Sequence, residues 1–130
     1  MSETHVLDAS AILLLLLKEN GAEQVAKLLD AGACLISAVN YAEVAAKLDD
    51  IGMPAGEVAA LLSSLRLPVV DFDESQALAC GLLRGRTKAL GLSLGDRACL
   101  QLASARQARA VTADRAWSKA RIGVSVVVLR

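Results

Sequence analysis

The stretch His5-Val6-Leu7-Asp8-Ala9-Ser10-Ala11 carries the first indication of the fold. Its opening three residues form a short apolar run, which predicts a strand that ends at Asp8. The following residues, from Ser10 to Glu19, are mostly apolar and predict a helix that stops at Asn20-Gly21, because glycine is favoured just after a helix. A strand followed directly by a helix is the first half of a βαβ unit.

Strands and helices continue to alternate along the rest of the chain. After the first helix, further helical segments are predicted over residues 22–30, 38–48, 55–65, 74–88, 94–106 and 114–120, and further strands over residues 33–36, 67–70, 109–112 and 124–129. Such alternation is typical of an α/β fold with a mostly parallel sheet. No repeat, low-complexity tract or linker divides the sequence, so we expect a single domain over residues 1–130.

Composition restricts both the core and the surface. Hydrophobic residues make up 55% of the chain, but the aromatic residues are only Tyr41, Phe72 and Trp117, so the core is expected to be aliphatic. The 14 basic and 14 acidic residues cancel, which argues against strong non-specific binding to nucleic acid. The basic run Arg84-Gly85-Arg86-Thr87-Lys88 leaves two interpretations open, a strip that guides an anionic substrate and a solvated helix end.

The cysteines indicate the cellular compartment. Cys34, Cys80 and Cys99 are odd in number, widely spaced and set among apolar residues, and His5 is the only histidine. This pattern predicts buried, reduced thiols in a cytoplasmic protein rather than a zinc site. The most apolar segment, residues 11–17, is too short to span a bilayer, so no membrane partner is expected.

Four acidic residues stand near predicted strand ends. Asp8 ends the first strand, and Asp114 lies two residues after the strand over residues 109–112. Glu43 lies in the helix after the second strand, and Asp96 lies in the first turn of the helix that precedes the 109–112 strand. Functional groups of open parallel sheets collect beyond the carboxyl ends of the strands, so we expect these acids to converge at one edge.

Each acid also has a structural explanation. Asp8 and Asp114 can cap helical turns, Ser93-Leu94-Gly95-Asp96 has the form of a capping box, and Glu43 and Lys47 form a favourable i, i+4 pair. The set is more informative than its members, because Glu43 stands alone in an otherwise uncharged stretch. A carboxylate is costly to bury unless it is paired or bound to a metal.

Several carboxylates at one site repel one another unless a cation lies between them. Oxygen ligands without a nearby cluster of His or Cys select a hard ion, Mg²⁺ or Mn²⁺. Such ions usually keep several waters and bind substrate phosphates. The acids therefore predict a metal-dependent hydrolysis of phosphodiester bonds.

Four segments resemble the motifs of the PIN-domain ribonucleases, and in particular of the VapC toxins of bacterial toxin–antitoxin pairs. The segments occur in the family's order, and the resemblance covers essentially the whole chain. They are Val6-Leu7-Asp8-Ala9-Ser10-Ala11, Ser37-Ala38-Val39-Asn40-Tyr41-Ala42-Glu43-Val44, Leu92-Ser93-Leu94-Gly95-Asp96-Arg97-Ala98 and Val111-Thr112-Ala113-Asp114-Arg115-Ala116-Trp117. Each string alone is weak, but all four in order at suitable separations are specific.

The resemblance implies a three-layer α/β/α domain, with a mostly parallel sheet of four or five strands and an acidic site at its C-terminal edge. It implies that four acids bind Mg²⁺ or Mn²⁺ and carry out catalysis, and that two hydroxyl side chains orient them. The acids are Asp8, Glu43, Asp96 and, as the most variable member, Asp114, and the hydroxyl residues are Ser10 and Thr112.

The implied activity is that of a metal-dependent endoribonuclease, the toxin of a toxin–antitoxin pair. The implied partners are RNA, a small antitoxin protein and a second copy of the chain in a homodimer. The apolar helices over residues 11–17 and 55–65 carry more apolar residues than one buried face requires. Some of these residues are therefore candidates for a groove that a partner helix would occupy.

Two alternative functions stay open at this point. An Asp-based phosphotransfer domain would use Asp8 as the acceptor, but such enzymes typically have a second acid two residues later, where this chain has Ser10. A non-catalytic PIN-fold partner or RNA-binding module would keep the fold without cleavage. The complete acid set argues against that module, and the scarcity of aromatic residues weakens any surface for stacking bases.

Overall fold

The first strand of the chain is the centre of the sheet. A computed structural model describes residues 3–129. Strand β1 (His5–Leu7) pairs with β2 (Cys34–Ser37) on one side and with β4 (Arg109–Thr112) on the other. Strand β3 (Val69–Val70) extends the sheet beyond β2, and β5 (Val126–Val128) extends it beyond β4. All pairings are parallel, which confirms the predicted sheet.

Helices cover both faces of this sheet, in the predicted three-layer α/β/α arrangement. The α-helices are α1 (Ala9–Leu16), α2 (Ala22–Asp30), α3 (Ala38–Asp50), α4 (Ala55–Ser64), α5 (Glu74–Leu82), α6 (Arg84–Thr87) and α7 (Leu94–Ala105). Two 3-10 turns, Lys88–Leu90 and Arg115–Lys119, complete the regular structure of residues 3–129. Within these residues, no helix has the length and hydropathy that crossing a membrane would require.

Successive residues of β1 point to opposite faces, and each face has its own core. Leu7 belongs to an apolar cluster that includes residues of α1 to α4, whereas Val6 belongs to a second cluster with α7 and Trp117. A strand buried between two helical layers requires apolar side chains on both faces. The three cysteines are buried and unpaired, as predicted.

Most predicted elements lie within a few residues of the observed ones, but two differ in an informative way. Helix α1 ends at Leu16 rather than Glu19, because the chain turns at Lys18 with a φ of 55°. The single helix predicted over residues 74–88 is wrong, since α5 ends at Leu82 and the separate α6 and first 3-10 turn follow. Gly81 and Gly85 weaken a continuous helix there, because glycine is a poor helix former.

The strand order β3-β2-β1-β4-β5 reverses direction beside β1. The chain builds β1, β2 and β3 outward and then returns to place β4 and β5 on the other side. In open α/β sheets, such a reversal leaves a crevice beyond the carboxyl ends of the two central strands. Asp8 follows β1, and Asp114 lies two residues after β4, so two of the predicted acids stand at this crevice.

We expect the core around Trp117 to dominate stability on its side of the sheet. Trp117 is fully buried and is the largest such side chain. Trp117→Ala should therefore lower the free energy of unfolding by about 3–5 kcal/mol. Urea denaturation followed by far-UV circular dichroism measures this change. Ile51→Ala is the matched control, because Ile51 is 56% exposed and its loss should cost less than about 0.5 kcal/mol. Equal effects of the two substitutions would contradict the core assignment.

Candidate active site

Asp8 lies directly after β1, and its side chain is only 5% exposed. Its Oδ1 accepts hydrogen bonds from the Ala11 amide at 2.9 Å and the Ser10 hydroxyl at 2.7 Å. Its Oδ2 accepts a hydrogen bond from the Thr112 hydroxyl at 2.6 Å. The Ala11 bond caps α1, so the structural explanation of this acid is correct. Ser10 and Thr112 contact the carboxylate as orienting residues would.

The two hydroxyl groups are themselves fixed by backbone amides. Ser10 Oγ accepts a hydrogen bond from the Ala113 amide at 2.9 Å, and Thr112 Oγ1 accepts one from the Asp114 amide at 3.0 Å. Each hydroxyl oxygen accepts a hydrogen bond from one amide and has a single hydrogen left to donate. Both hydroxyl hydrogens are therefore directed to Asp8, and the ends of β1 and β4 are joined through this carboxylate.

Burial controls the ionisation of Asp8. It raises the pKa of this carboxyl from 3.8 to about 6, although the hydrogen bonds from Thr112, Ala11 and Ser10 act in the opposite direction. The negative charge of Asp96 raises the pKa further. No basic side chain of the described residues is among the causes of this shift. The site therefore holds a buried carboxylate whose charge the surrounding protein does not neutralise.

Asp96 stands beside Asp8 at the start of α7. The Ser93 hydroxyl accepts a hydrogen bond from the Asp96 amide at 3.2 Å, and Asp96 Oδ2 accepts one from the Ser93 amide at 2.8 Å. These two bonds confirm the predicted capping box. The bond from the Ser93 amide occupies Oδ2 of the carboxylate, while Oδ1 has no hydrogen-bond partner among residues 3–129.

Glu43 reaches the same edge from α3. Asn40 Nδ2 donates to Glu43 Oε1 at 2.9 Å and also to the Gly95 carbonyl oxygen at 3.0 Å. A Cβ atom at Gly95 would overlap the Glu43 carboxylate, so this carboxylate lies against the backbone of α7, next to Asp96.

Glu43 does not form the i, i+4 pair that was its structural explanation. It is exposed, and within the described chain it pairs with Asn40 rather than with Lys47. The buried positions of α3 are Asn40, Val44 and Leu48, which lie four residues apart on one face. Glu43 lies next to that face, and the uncharged residues around it include exposed alanines rather than only core residues.

The buried Cys99 thiol is affected by the charges of three of the acids. Its Sγ donates to the Val6 carbonyl oxygen at 3.6 Å. Burial is the main cause that raises the pKa of this thiol, and the charges of Asp8, Asp96 and Glu43 raise it further. Charges from three separate elements therefore act on one buried group.

Asp114 occupies the rim of the crevice. Its side chain is exposed, and Oδ1 accepts a hydrogen bond from the Ala116 amide at 2.9 Å, which caps the second 3-10 turn. Its charge does not contribute to the pKa shift of Asp8. Only its backbone amide joins the site, through Thr112. The structure thus leaves this acid in the capping role that the sequence also allowed.

The chemistry of these side chains fits a hard divalent cation. All donors are oxygens, and within residues 3–129 the second carboxylate oxygens of Glu43, Asp96 and Asp114 accept no hydrogen bond. As arranged, no three acidic, His or Cys side chains in this part of the chain form a ligand cluster for one ion. Mg²⁺ and Mn²⁺ tolerate an incomplete protein ligand set, because Mg²⁺ in particular usually keeps several waters.

Five exposed cations lie on two chain segments and are here called the cationic strip. They are Arg84, Arg86, Lys88, Lys119 and Arg121. The Arg86 guanidinium donates from Nη2 to the Arg121 carbonyl oxygen at 2.6 Å, which joins the two segments. Residues 83–95 and 115–125 contain no acid. The second 3-10 turn, which carries Lys119, begins directly after Asp114 at the rim of the crevice.

Comparison with known families matches residues 5–123 to the family described as PIN domain. The chain belongs to the PIN-domain family. This match confirms the resemblance that the four motifs indicated. No curated protein matches the sequence significantly.

Solved structures share the fold of this PIN domain. VapBC2 from Rickettsia felis, bound to a promoter DNA fragment, matches with a TM-score of 0.77 and 16% identity over 98% of this chain and 99% of that chain. DNA-bound VapBC from Salmonella typhimurium matches with a TM-score of 0.76 and 18% identity over 99% and 100% of the two chains. VapC20 from Mycobacterium tuberculosis, a sarcin-ricin loop cleaving toxin, matches with a TM-score of 0.69 and 14% identity over 94% and 99%.

Two residues that shape the site, Asn40 and Gly95, were not predicted from the sequence. A signal for Asn40 was present, because a polar residue three positions before Glu43 lies on the same side of a helix and can bond to it. The role of Gly95 had no such signal. It depends on the approach of α3 to α7, which no local pattern predicts.

The raised pKa of Asp8 predicts a pH-dependent stability of the metal-free protein. Because the folded pKa of about 6 exceeds the ordinary value of 3.8, the folded state keeps a proton that the unfolded chain has already lost between these values. Asp8 should therefore lower the free energy of unfolding as the pH rises through this window, with the full loss present above the folded pKa. The shift corresponds to about 3 kcal/mol at 1.36 kcal/mol per pKa unit.

Urea denaturation in EDTA across this pH window measures the effect. Asp8→Asn should flatten the pH dependence. Asp73→Asn is the matched control, since Asp73 also caps a helix by accepting from the Gln76 amide but is exposed, and it should leave the slope unchanged. The same slope in wild type and Asp8→Asn would show that Asp8 is not the buried acid responsible.

Proposed function

We propose that this PIN domain is a metal-dependent endoribonuclease and the toxin of a toxin–antitoxin pair. The supporting observation is the Asp8 carboxylate, which is buried at the crevice, held by the Ser10 and Thr112 hydroxyls, and has its pKa raised by burial and by the charge of Asp96. An acid in this condition makes folding less favourable, and such perturbed groups concentrate at functional sites. We extend the proposal to a single domain over residues 1–130 in the cytoplasm, where the three buried thiols would stay reduced.

Asp8 and Asp96 would hold Mg²⁺ or Mn²⁺, with Glu43 near the ion and Asp114 as a further oxygen donor from the rim. When bound, such an ion supplies charge stabilisation for the scissile phosphate and lowers the pKa of a water. The chain's own contribution is to orient the donors. The Ser10 and Thr112 hydroxyls fix the rotation of the Asp8 carboxylate, and the Ser93 amide fixes one oxygen of Asp96.

The carboxylates also carry the acid–base chemistry of the proposed reaction. His5, the only histidine, begins β1 and therefore lies at the opposite edge of the sheet from the acids. Among the described site residues, Glu43 is exposed and its Oε2 accepts no hydrogen bond, so this atom is available to take a proton from water. We assign proton transfer to Glu43.

The cationic strip supports RNA as the substrate. A chain with zero net charge holds nucleic acid poorly unless its cations are gathered, and five of them are gathered beside the crevice. A strand that runs along the strip would bring its phosphates to the acids. VapC20, whose fold this chain shares, is described as a sarcin-ricin loop cleaving toxin, which agrees with RNA as the substrate class.

An antitoxin is the proposed partner, because VapBC complexes are among the structures that share this fold. In helix α1, Ala11, Ile12 and Leu14 are buried in the core, while Leu13, Leu15 and Leu16 are only partly buried. A shallow apolar groove lies between α3 and α4. It is lined by Tyr41, Ala45, Asp49, Ala55, Val58, Ala59 and Leu62. An apolar partner segment with an Arg or Lys would fit this groove, because its one charged residue is acidic.

Self-association into a homodimer is part of the same proposal. The exposed side chains of Leu78, Leu82 and Leu94 support it, since they lie on α5 and at the start of α7, which pack against each other. Exposed leucines that are close together mark candidate protein contacts.

Asp8→Asn should abolish RNA cleavage while it preserves the fold. Asn keeps the size of the side chain and caps helices about as well as Asp. Loss of the charge removes an electrostatic contribution that typically costs on the order of a hundred- to a thousandfold in rate. The assay is cleavage of a mixed RNA pool in Mn²⁺, with and without EDTA, and circular dichroism monitors folding. Glu43→Gln and Asp96→Asn should have similar effects, and Asp114→Asn a milder one.

Asp73→Asn is again the control and should cleave at the wild-type rate, since Asp73 lies at the start of α5. Cleavage by Asp8→Asn at the wild-type rate, or wild-type cleavage that ignores EDTA, would reject the metal-dependent nuclease. Retained RNA binding without cleavage in Mn²⁺ would favour the non-catalytic module. Phosphate trapped on Asp8 would favour phosphotransfer, although both oxygens of this buried carboxylate already accept hydrogen bonds.

Expression of the chain alone should inhibit growth, and co-expression with its antitoxin should relieve this inhibition. The protein should then co-purify with a small partner that covers the α3–α4 groove. Ala59→Glu would place a charge in the groove and should weaken that complex, while RNA cleavage by the free protein stays unchanged. Free protein that cleaves RNA without any effect on growth would reject the toxin assignment alone.

A further inference from the structure

Asn40 is a buried side chain that connects Glu43 to α7. It is 1% exposed, and its amide group donates to Glu43 Oε1 at 2.9 Å and to the Gly95 carbonyl oxygen at 3.0 Å. Both partners are hydrogen-bond acceptors. The nitrogen of the amide must therefore face them, because the opposite orientation would bring three oxygens together.

The stability of the core does not explain an asparagine at this position. Asn40 Oδ1 is buried and has no hydrogen-bond partner among the described residues. A buried acceptor without a partner is unfavourable for folding, and a leucine of similar size would avoid that loss. The feature that leucine cannot supply is the pair of donors directed to Glu43 and Gly95.

Gly95 leaves the space that the Glu43 carboxylate occupies. It is buried in the first turn of α7, and a Cβ atom there would overlap the Glu43 carboxylate. Alanine is a better helix former than glycine, so helix stability alone would favour a side chain at this position. Asn40 and Gly95 therefore each lower the stability of the fold, and together they fix the position of the Glu43 carboxylate beside Asp96.

We propose that Asn40 is a positioning residue that acts through Glu43, and that Gly95 provides the space for this arrangement. The inference rests on the proposed function, in which Glu43 contributes to RNA hydrolysis. Glu43 is exposed and long, so without these contacts its carboxylate would sample many rotamers in solvent. Asn40 instead holds it to the α7 backbone, and the acids of α3 and α7 keep a fixed separation.

The first test is Asn40→Leu, assayed for RNA cleavage in Mn²⁺. We expect kcat to fall on the order of ten- to a hundredfold, as for other residues that orient ligating side chains. KM should change little, and the melting temperature should stay equal or rise. Ser37→Ala is the matched control on the same helix, since the Ser37 hydroxyl caps α3 at the Val39 amide. It should lower the melting temperature and leave kcat unchanged. The reverse pattern, with wild-type kcat in Asn40→Leu, would overturn the proposal.

The second test is a double-mutant cycle with Glu43→Gln. If Asn40 acts through Glu43, then Asn40→Leu should cause no further loss of kcat in the Glu43→Gln background. Gly95→Ala should resemble Asn40→Leu in kcat, because it displaces the same carboxylate, and it provides a second variant if Asn40→Leu does not fold. Losses that multiply in the double variant would show that Asn40 acts independently of Glu43.

A third measurement does not depend on catalysis. Side-chain carbon relaxation in the metal-free protein should report an ordered Glu43 in wild type and a mobile Glu43 in Asn40→Leu and Gly95→Ala. If wild type fails to cleave RNA, the proposed function fails, but this measurement still tests the contact. A Glu43 side chain that stays equally ordered in both variants would overturn the inference whatever the activity.

Discussion

The hydrogen bonds to the buried Asp8 carboxylate hold together the part of the fold on which the site depends. They come from Ser10 and Ala11 at the start of α1 and from Thr112 at the end of β4. The strand order reverses between β1 and β4, so this carboxylate lies at the base of the crevice between these two strands. Burial opposes its ionisation while the hydrogen bonds favour it, and burial has the larger effect.

The structural and functional explanations of the acids are not exclusive. A carboxylate has two oxygens, and a capping interaction uses one of them. Asp96 caps α7 with Oδ2, and Asp114 caps the second 3-10 turn with Oδ1. The cap fixes the orientation of the side chain, and the second oxygen stays available for a cation. Capping therefore orients these carboxylates so that the free oxygen of each can bind a ligand near the start of its helix.

The neutral net charge conceals an uneven distribution. Residues 83–95 and 115–125 contain no acid, so the rest of the chain has an acidic excess. The fold brings these two segments together through Arg86 and the Arg121 carbonyl group, next to the acidic crevice. A polyanion would thus be attracted to the side of the crevice that carries the cationic strip. The apolar groove between α3 and α4 lies apart from that strip and is open to a partner of different chemistry.

Local sequence patterns were enough to predict the α/β class, the parallel sheet, the capping box at Ser93 and the positions of the acids at strand ends and helix starts. These features depend on hydrophobic periodicity and local hydrogen bonds, which a short stretch of chain contains. The packing of the folded chain was needed to show which acid is buried, that Glu43 is exposed, and that Asn40 and Gly95 hold its carboxylate. The contact between Asn40 of α3 and Gly95 of α7 joins residues 55 positions apart, and the raised pKa of Asp8 comes from its burial in the folded chain, so no short stretch of sequence contains either feature.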